Sequence, residues 1–119
     1  MPFIKGGKGI VGPNAAVWDQ IRAWLHGIEK RSEEYRDKDE EKYQKARIFT
    51  RQQYLKSCIY HPKHKGRIDD IFLDLLVCGY IERIGRGVYR LLVPPPLGIR
   101  LCEVRDMSYN LRKNLAGNK

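Results

Sequence analysis

The chain has 119 residues, 42% of them hydrophobic, with 23 Lys and Arg against 14 Asp and Glu and a net charge of +9. That apolar content supports one modest core and excludes a wholly disordered chain, and no apolar run approaches the ~20 residues of a membrane span. A basic surplus on so small a domain points to a polyanionic partner, nucleic acid before any other.

Residues 1–13 carry four glycines, two prolines and two lysines without periodicity, which reads as a flexible basic arm. Gly6-Gly7-Lys8-Gly9 lacks the spacing of a phosphate-binding loop. The opening also lacks an apolar leader core, so a cytoplasmic protein is expected, nucleoid-associated in a prokaryote. Asn14 suits a helix N-cap. Val17, Ile21, Trp24, Leu25 and Ile28 then recur at helical spacing as a core-facing stripe, with Trp18 beside them.

From Glu29 to Arg47 seven acids and seven bases cancel, which leaves sixteen bases against seven acids in the rest of the chain. This stretch reads as a solvated helical insertion, either an extension of the first helix or a second helix after a break near Asp37 to Asp39. Glu34 with Lys38 and Glu41 with Lys45 make i,i+4 pairs, and Asp37-x-x-Glu40 is a weak capping box. Ile48 and Phe49 suit a short strand, and Thr50-Arg51-Gln52-Gln53 a capping box into a helix carrying Tyr54 and Leu55.

The segment Ile59 to Arg67 is a long basic turn with Lys63, Lys65, Arg67 and two histidines. Cys58-x-x-His61-x-x-His64 has ligand types that suit zinc, but a structural site needs a fourth protein ligand, and no metal or other cofactor is expected. Three cysteines at wide spacing argue against a disulfide framework. No nucleophile stands with a base and no carboxylate pair suggests a cleft, so no catalytic residues and no enzyme activity are expected.

Ile68, Ile71, Phe72, Leu75 and Leu76 form the core stripe of the next helix, and Gly79 ends it. Its opposite face is expected to carry Asp69, Asp70, Leu73, Asp74 and Val77. Two β-prone runs around Gly85-Arg86-Gly87 read as a hairpin over 80–92. Pro94-Pro95-Pro96 closes it, Ile99 to Val104 suits a further short strand, and a last helix aligns Val104, Met107, Leu111 and Leu115 against Arg105, Arg112 and Lys113.

The string Leu75-Leu76-x-x-Gly79-Tyr80-Ile81-x-Arg83-x-Gly85-Arg86-Gly87-Val88-Tyr89-x-Leu91 resembles the winged-helix domains of transcription regulators and of abortive-infection-type antitoxins, over Lys45 to about Val93. The resemblance implies a mainly-α α+β fold, a winged helix-turn-helix with a charged helical insertion at about 29–46 and a C-terminal amphipathic helix. The division is an arm at 1–13, a winged-helix domain at 14–93 and an extension at 94–119. It further implies contact with double-stranded DNA through Arg51, Gln52, Lys56, Lys63, His64, Lys65, Arg67, Arg83, Arg86 and Arg90, with Arg86 at the wing tip. The terminal helix either makes a homodimer through Met107, Leu111 and Leu115 or packs back on its own domain. The alternatives are a protein-binding adaptor using Leu73 and Val77, and an RNA- or ribosome-binding protein.

Overall fold

A computed structural model describes residues 13–117, with side chains from 15 to 114. The arm expected over 1–13 lies outside the described residues apart from Pro13. The elements are α1 (Pro13–Glu33), α2 (Glu40–Ala46), β1 (Ile48–Thr50), α3 (Arg51–Lys56), α4 (Lys65–Val77), β2 (Ile81–Gly85), β3 (Val88–Leu91) and α5 (Leu101–Gly117), with a 3-10 turn at Pro62–His64 before α4. The strands form one antiparallel sheet in the order β1-β3-β2. Ile48 to Thr50 pair with Arg90 to Val88, and Ile81 lies opposite Leu91. The result is a mainly-α α+β fold of winged-helix-like architecture.

The core forms where the expected stripes meet. Val17, Ile21, Leu25 and Ile28 of α1, Phe49, Tyr54, the α4 residues Ile68, Ile71, Phe72 and Leu75, and Ile81 and Leu91 of the hairpin are all buried. Each such side chain contributes about 1.5–3 kcal/mol relative to exposure. Phe72 lies at its centre, with the Tyr54 ring 4.5 Å and the Tyr89 ring 4.7 Å away. Trp24 is half-buried and meets Phe49 edge-on at 5.0 Å. Gly79 takes a φ of 83° after α4, a conformation that side chains with a Cβ resist, and the chain turns there into β2.

The charged insertion is divided: Glu29 to Glu33 continue α1, and a separate helix, α2, begins at Glu40. The break falls between α1 and α2, where Asp37 takes a φ of 63°. The cap is Asp39 rather than Asp37: its carboxylate accepts from the Lys42 backbone N–H at 3.1 Å. Glu41 and Lys45 pair at 4.0 Å, whereas Lys38 falls in the turn, off any helix. Arg47 then joins three parts of the fold. Its guanidinium bonds Glu29 and the Ser32 hydroxyl of α1, donates to the Leu91 and Leu92 carbonyls after β3, and stacks on Tyr43 of α2 at 4.9 Å.

The C-terminal segment departs from expectation twice. No strand forms at Ile99 to Val104; a turn closed by Ile99 N–H on the Pro96 carbonyl leads straight into α5. Three α1 side chains one turn apart fasten that turn. The Trp18 indole and Arg22 donate to the Ile99 carbonyl, at 3.0 and 2.7 Å, and the His26 ring lies 2.5 Å from the Pro95 carbonyl. This explains why Trp18, one position off the stripe, is 2% exposed.

The α5 helix packs back on α4 through Val104 and Ser108, both fully buried, with Arg105 and Arg112 reaching Asp74. The inward face is therefore rotated from the expected one. Met107 and Leu111 stay about 40% exposed on its shoulder, and the side chain of Leu115 lies outside the described residues. A buried carboxylate on α4 lies under this face, within 3.5 and 3.7 Å of the two arginines.

Candidate nucleic-acid interface

The start of α4 is built by the basic turn. The helix begins at Lys65, three residues before the apolar stripe. Ahead of it the His61 imidazole Nδ1 accepts from the Lys63 N–H at 3.1 Å. Lys63 and Arg67 are exposed and, among the described residues, paired with no carboxylate. Lys65 reaches Asp69 at 3.2 Å, and His64 is half-buried, 6.3 Å from the His61 ring. Cys58 belongs to the core, where burial raises its thiol above the ordinary value. Among the described residues no three His, Cys, Asp or Glu side chains gather as a metal site.

Arg51 ties this helix start to the wing. Its backbone N–H donates to the Gly87 carbonyl at 3.2 Å, its guanidinium pairs with Asp69, and the same group lies 5.3 Å from the Phe72 ring centre. Arg51, expected as a DNA contact, has its guanidinium paired with Asp69 while 39% of its side chain is exposed. Gln52 beside it is exposed.

On the hairpin, Gly87 takes a φ of 70° and a bulge falls between Arg83 and Gly85, which twists the strands apart near the tip. Arg83 is exposed and donates to the Gly85 carbonyl at 3.1 Å; Arg86 is exposed at the tip itself. Arg90 differs: it pairs across the strands with Glu82 at 2.8 Å, as directly opposed charges do. Lys56 stands at the other end of α3, beside Ile28 and Arg31 of α1. So Lys63, His64, Lys65, Arg67 and Arg51 lie around the start of α4, Arg83, Arg86 and the paired Arg90 occupy the hairpin, and Lys56 lies at the far end of α3.

The outward face of α4 also needs correction. Of the carboxylates expected there, Asp74 is 3% exposed beneath α5, with Arg112 at 3.5 Å and Arg105 at 3.7 Å. Asp69 is neutralised by Arg51 and Lys65. Only Asp70 remains exposed and, among the described residues, unpaired. The face that looked acidic thus carries one free carboxylate, beside Leu73 (44% exposed) and a half-buried Val77. The roles of Glu82, Asp69 and Asp74 as internal counter-ions were missed because each pairing joins residues of different elements. The i,i+4 spacing of Lys65 and Asp69 was the one local signal for any of them.

Comparison with models of protein families, with curated proteins and with solved structures finds no match to this chain.

Proposed function

We propose that the protein binds duplex DNA without catalysing a reaction, acting as a homodimeric transcription regulator or architectural factor. The observation that supports this reading is the link through Arg51. One residue joins the wing loop at Gly87 to α4 at Asp69, just past its first turn, so unpaired cations on both elements are tied to one edge. In this mechanism Lys63 and Arg67 take phosphates beside the helix start, where the positive end of the helix dipole also favours anions. Arg83 and Arg86 follow the backbone with the wing, and Arg86 enters the minor groove. Occupancy then occludes or recruits other proteins. The homodimer would form through the Met107 and Leu111 shoulder of α5.

Fluorescence anisotropy with random duplex, single-stranded DNA and structured RNA across a salt series tests the reading. Four free cations predict a log–log salt slope of about −3 to −4 on duplex, with RNA weaker. Absence of duplex binding at low salt would sink it. One observation favours a second reading: Leu73 is exposed in the middle of the α4 face, next to Asp70, where base contacts would lie. In that case α4 docks on a protein, and Leu73→Glu would abolish partner capture while leaving any duplex binding through the wing.

A further inference from the structure

A groove of about 320 Å³ opens between α1, β1 and α3, away from the α4 start and the wing. Its floor is apolar: Ile28 and Phe49 are buried, Trp24 is half-buried, and Ile48 leaves 37% of its surface in water. Arg31 and Lys56 stand at the rim, both exposed and, among the described residues, free of ion pairs. Gly27 shapes that rim. A Cβ there would lie 3.3 Å from a terminal nitrogen of Arg31, so the guanidinium lies back over the glycine.

The polar chemistry of the groove is one-sided. No Asp or Glu lines it. Gln53 spends its side-chain oxygen on the Thr50 N–H at 2.8 Å, which leaves only the amide N–H groups to face a ligand. Ser57 spends its proton on the Tyr54 carbonyl at 2.6 Å. Two cations and an amide donor above an aromatic floor match an acceptor-only anion with an apolar body. The volume is at the low end of the ~300–1,000 Å³ typical of ligand sites, enough for one ring or a short chain.

We propose that this groove binds a small amphipathic monocarboxylate, with Arg31 and Lys56 holding the carboxylate and Trp24, Ile28 and Ile48 covering the apolar part. Lys56 then serves this site and not the nucleic-acid edge. The site stands apart from the DNA reading, since it shares no residue with the start of α4 or with the wing.

The test follows the Trp24 indole and Gln53 side-chain amide resonances of the full chain while octanoate, octanamide or a short DNA duplex is titrated in. Octanoate should shift both resonances to saturation, with octanamide about tenfold weaker for want of the charge-assisted contacts. The double variant Arg31→Gln, Lys56→Gln should lose the difference between acid and amide while keeping a folded spectrum. No saturable shift, or equal binding of acid and amide, overturns the proposal. So does a duplex that moves the same resonances in the native chain and not in the double variant, because the groove would then belong to nucleic acid.

Discussion

Arg47 and Arg86 carry the same side chain within one small domain, and their surroundings make them opposites. Arg47 is 4% exposed and its guanidinium is spread over a carboxylate, a hydroxyl and two carbonyls from both sides of the fold. Arg86 stands at a hairpin tip and meets no carboxylate among the described residues. The first cation is consumed in holding the insertion to the sheet; the second meets no internal acid among the described residues. The net charge of +9 therefore overstates one kind of site and hides another. What matters for binding is which bases lack an internal acid.

The sharpest way to break the comparison is Arg47→Ala. It leaves Glu29 with Arg36 alone at 3.4 Å and two carbonyls without donors, and should cost about 2–3 kcal/mol in a urea melt. Arg47→Lys should recover only part of the loss, because an ammonium cannot span the same acceptors. A cost under ~1 kcal/mol would show that water replaces the arginine and that the junction is open.

Next in size is Tyr54, whose hydroxyl donates to the Ile68 carbonyl at 2.6 Å inside the core. Tyr54→Phe should cost about 1 kcal/mol at neutral pH. It should also change the alkaline limb. Burial raises the Tyr54 phenol well above its ordinary 10.0 and the Cys58 thiol above its ordinary 9.0. The folded chain thus keeps protons that the unfolded chain releases, so stability is full below about pH 9 and falls as pH rises further. Urea midpoints from pH 7 to 11 should decline in the native chain, and the decline above pH 10 should be shallower in Tyr54→Phe, where Tyr80, whose phenol burial also raises, keeps a remainder.

Smallest in stability is Arg86→Ala, expected to shift the melt by no more than about 0.5 kcal/mol. Its effect should appear in binding instead, as a loss of about one unit of salt slope on duplex DNA. An unchanged slope would mean that Arg86 is as idle in the complex as it is free in the isolated protein.

Much of the fold was legible because its signals are local. The α4 stripe from Ile68 to Leu75, the stop at Gly79, the Gly85-Arg86-Gly87 loop and the Thr50–Gln53 capping box all depend on residues within a turn or two of one another. Both halves of that box are present, Gln53 N–H on the Thr50 hydroxyl and Thr50 N–H on the Gln53 amide oxygen. The α5 face was misjudged because apolarity was weighed alone. Met107 and Leu111 look like core by spacing, but the face that packs on α4 is the one with Val104 and Ser108, beside Arg105, Arg112 and Asp74. The α1 clamp on residues 95–99 was missed for a related reason. Trp18, Arg22 and His26 do share one side at i, i+4 and i+8, but nothing near them in sequence shows that a carbonyl-bearing turn, 69 to 81 residues onward, will lie against it.

Periodicity, caps and glycine punctuation, each decided within a few residues, were enough to place the hairpin, the core stripes and most of the elements from the sequence by itself, the strand expected at 99–104 excepted. Only the tertiary structure decided which charges remain free. Arg51 with Asp69, Arg90 with Glu82, Arg47 with Glu29 and Arg112 with Asp74 are pairs 8 to 38 residues apart. Each needs two elements to pack before its members meet. Until they do, every one of these arginines looks equally available to a phosphate.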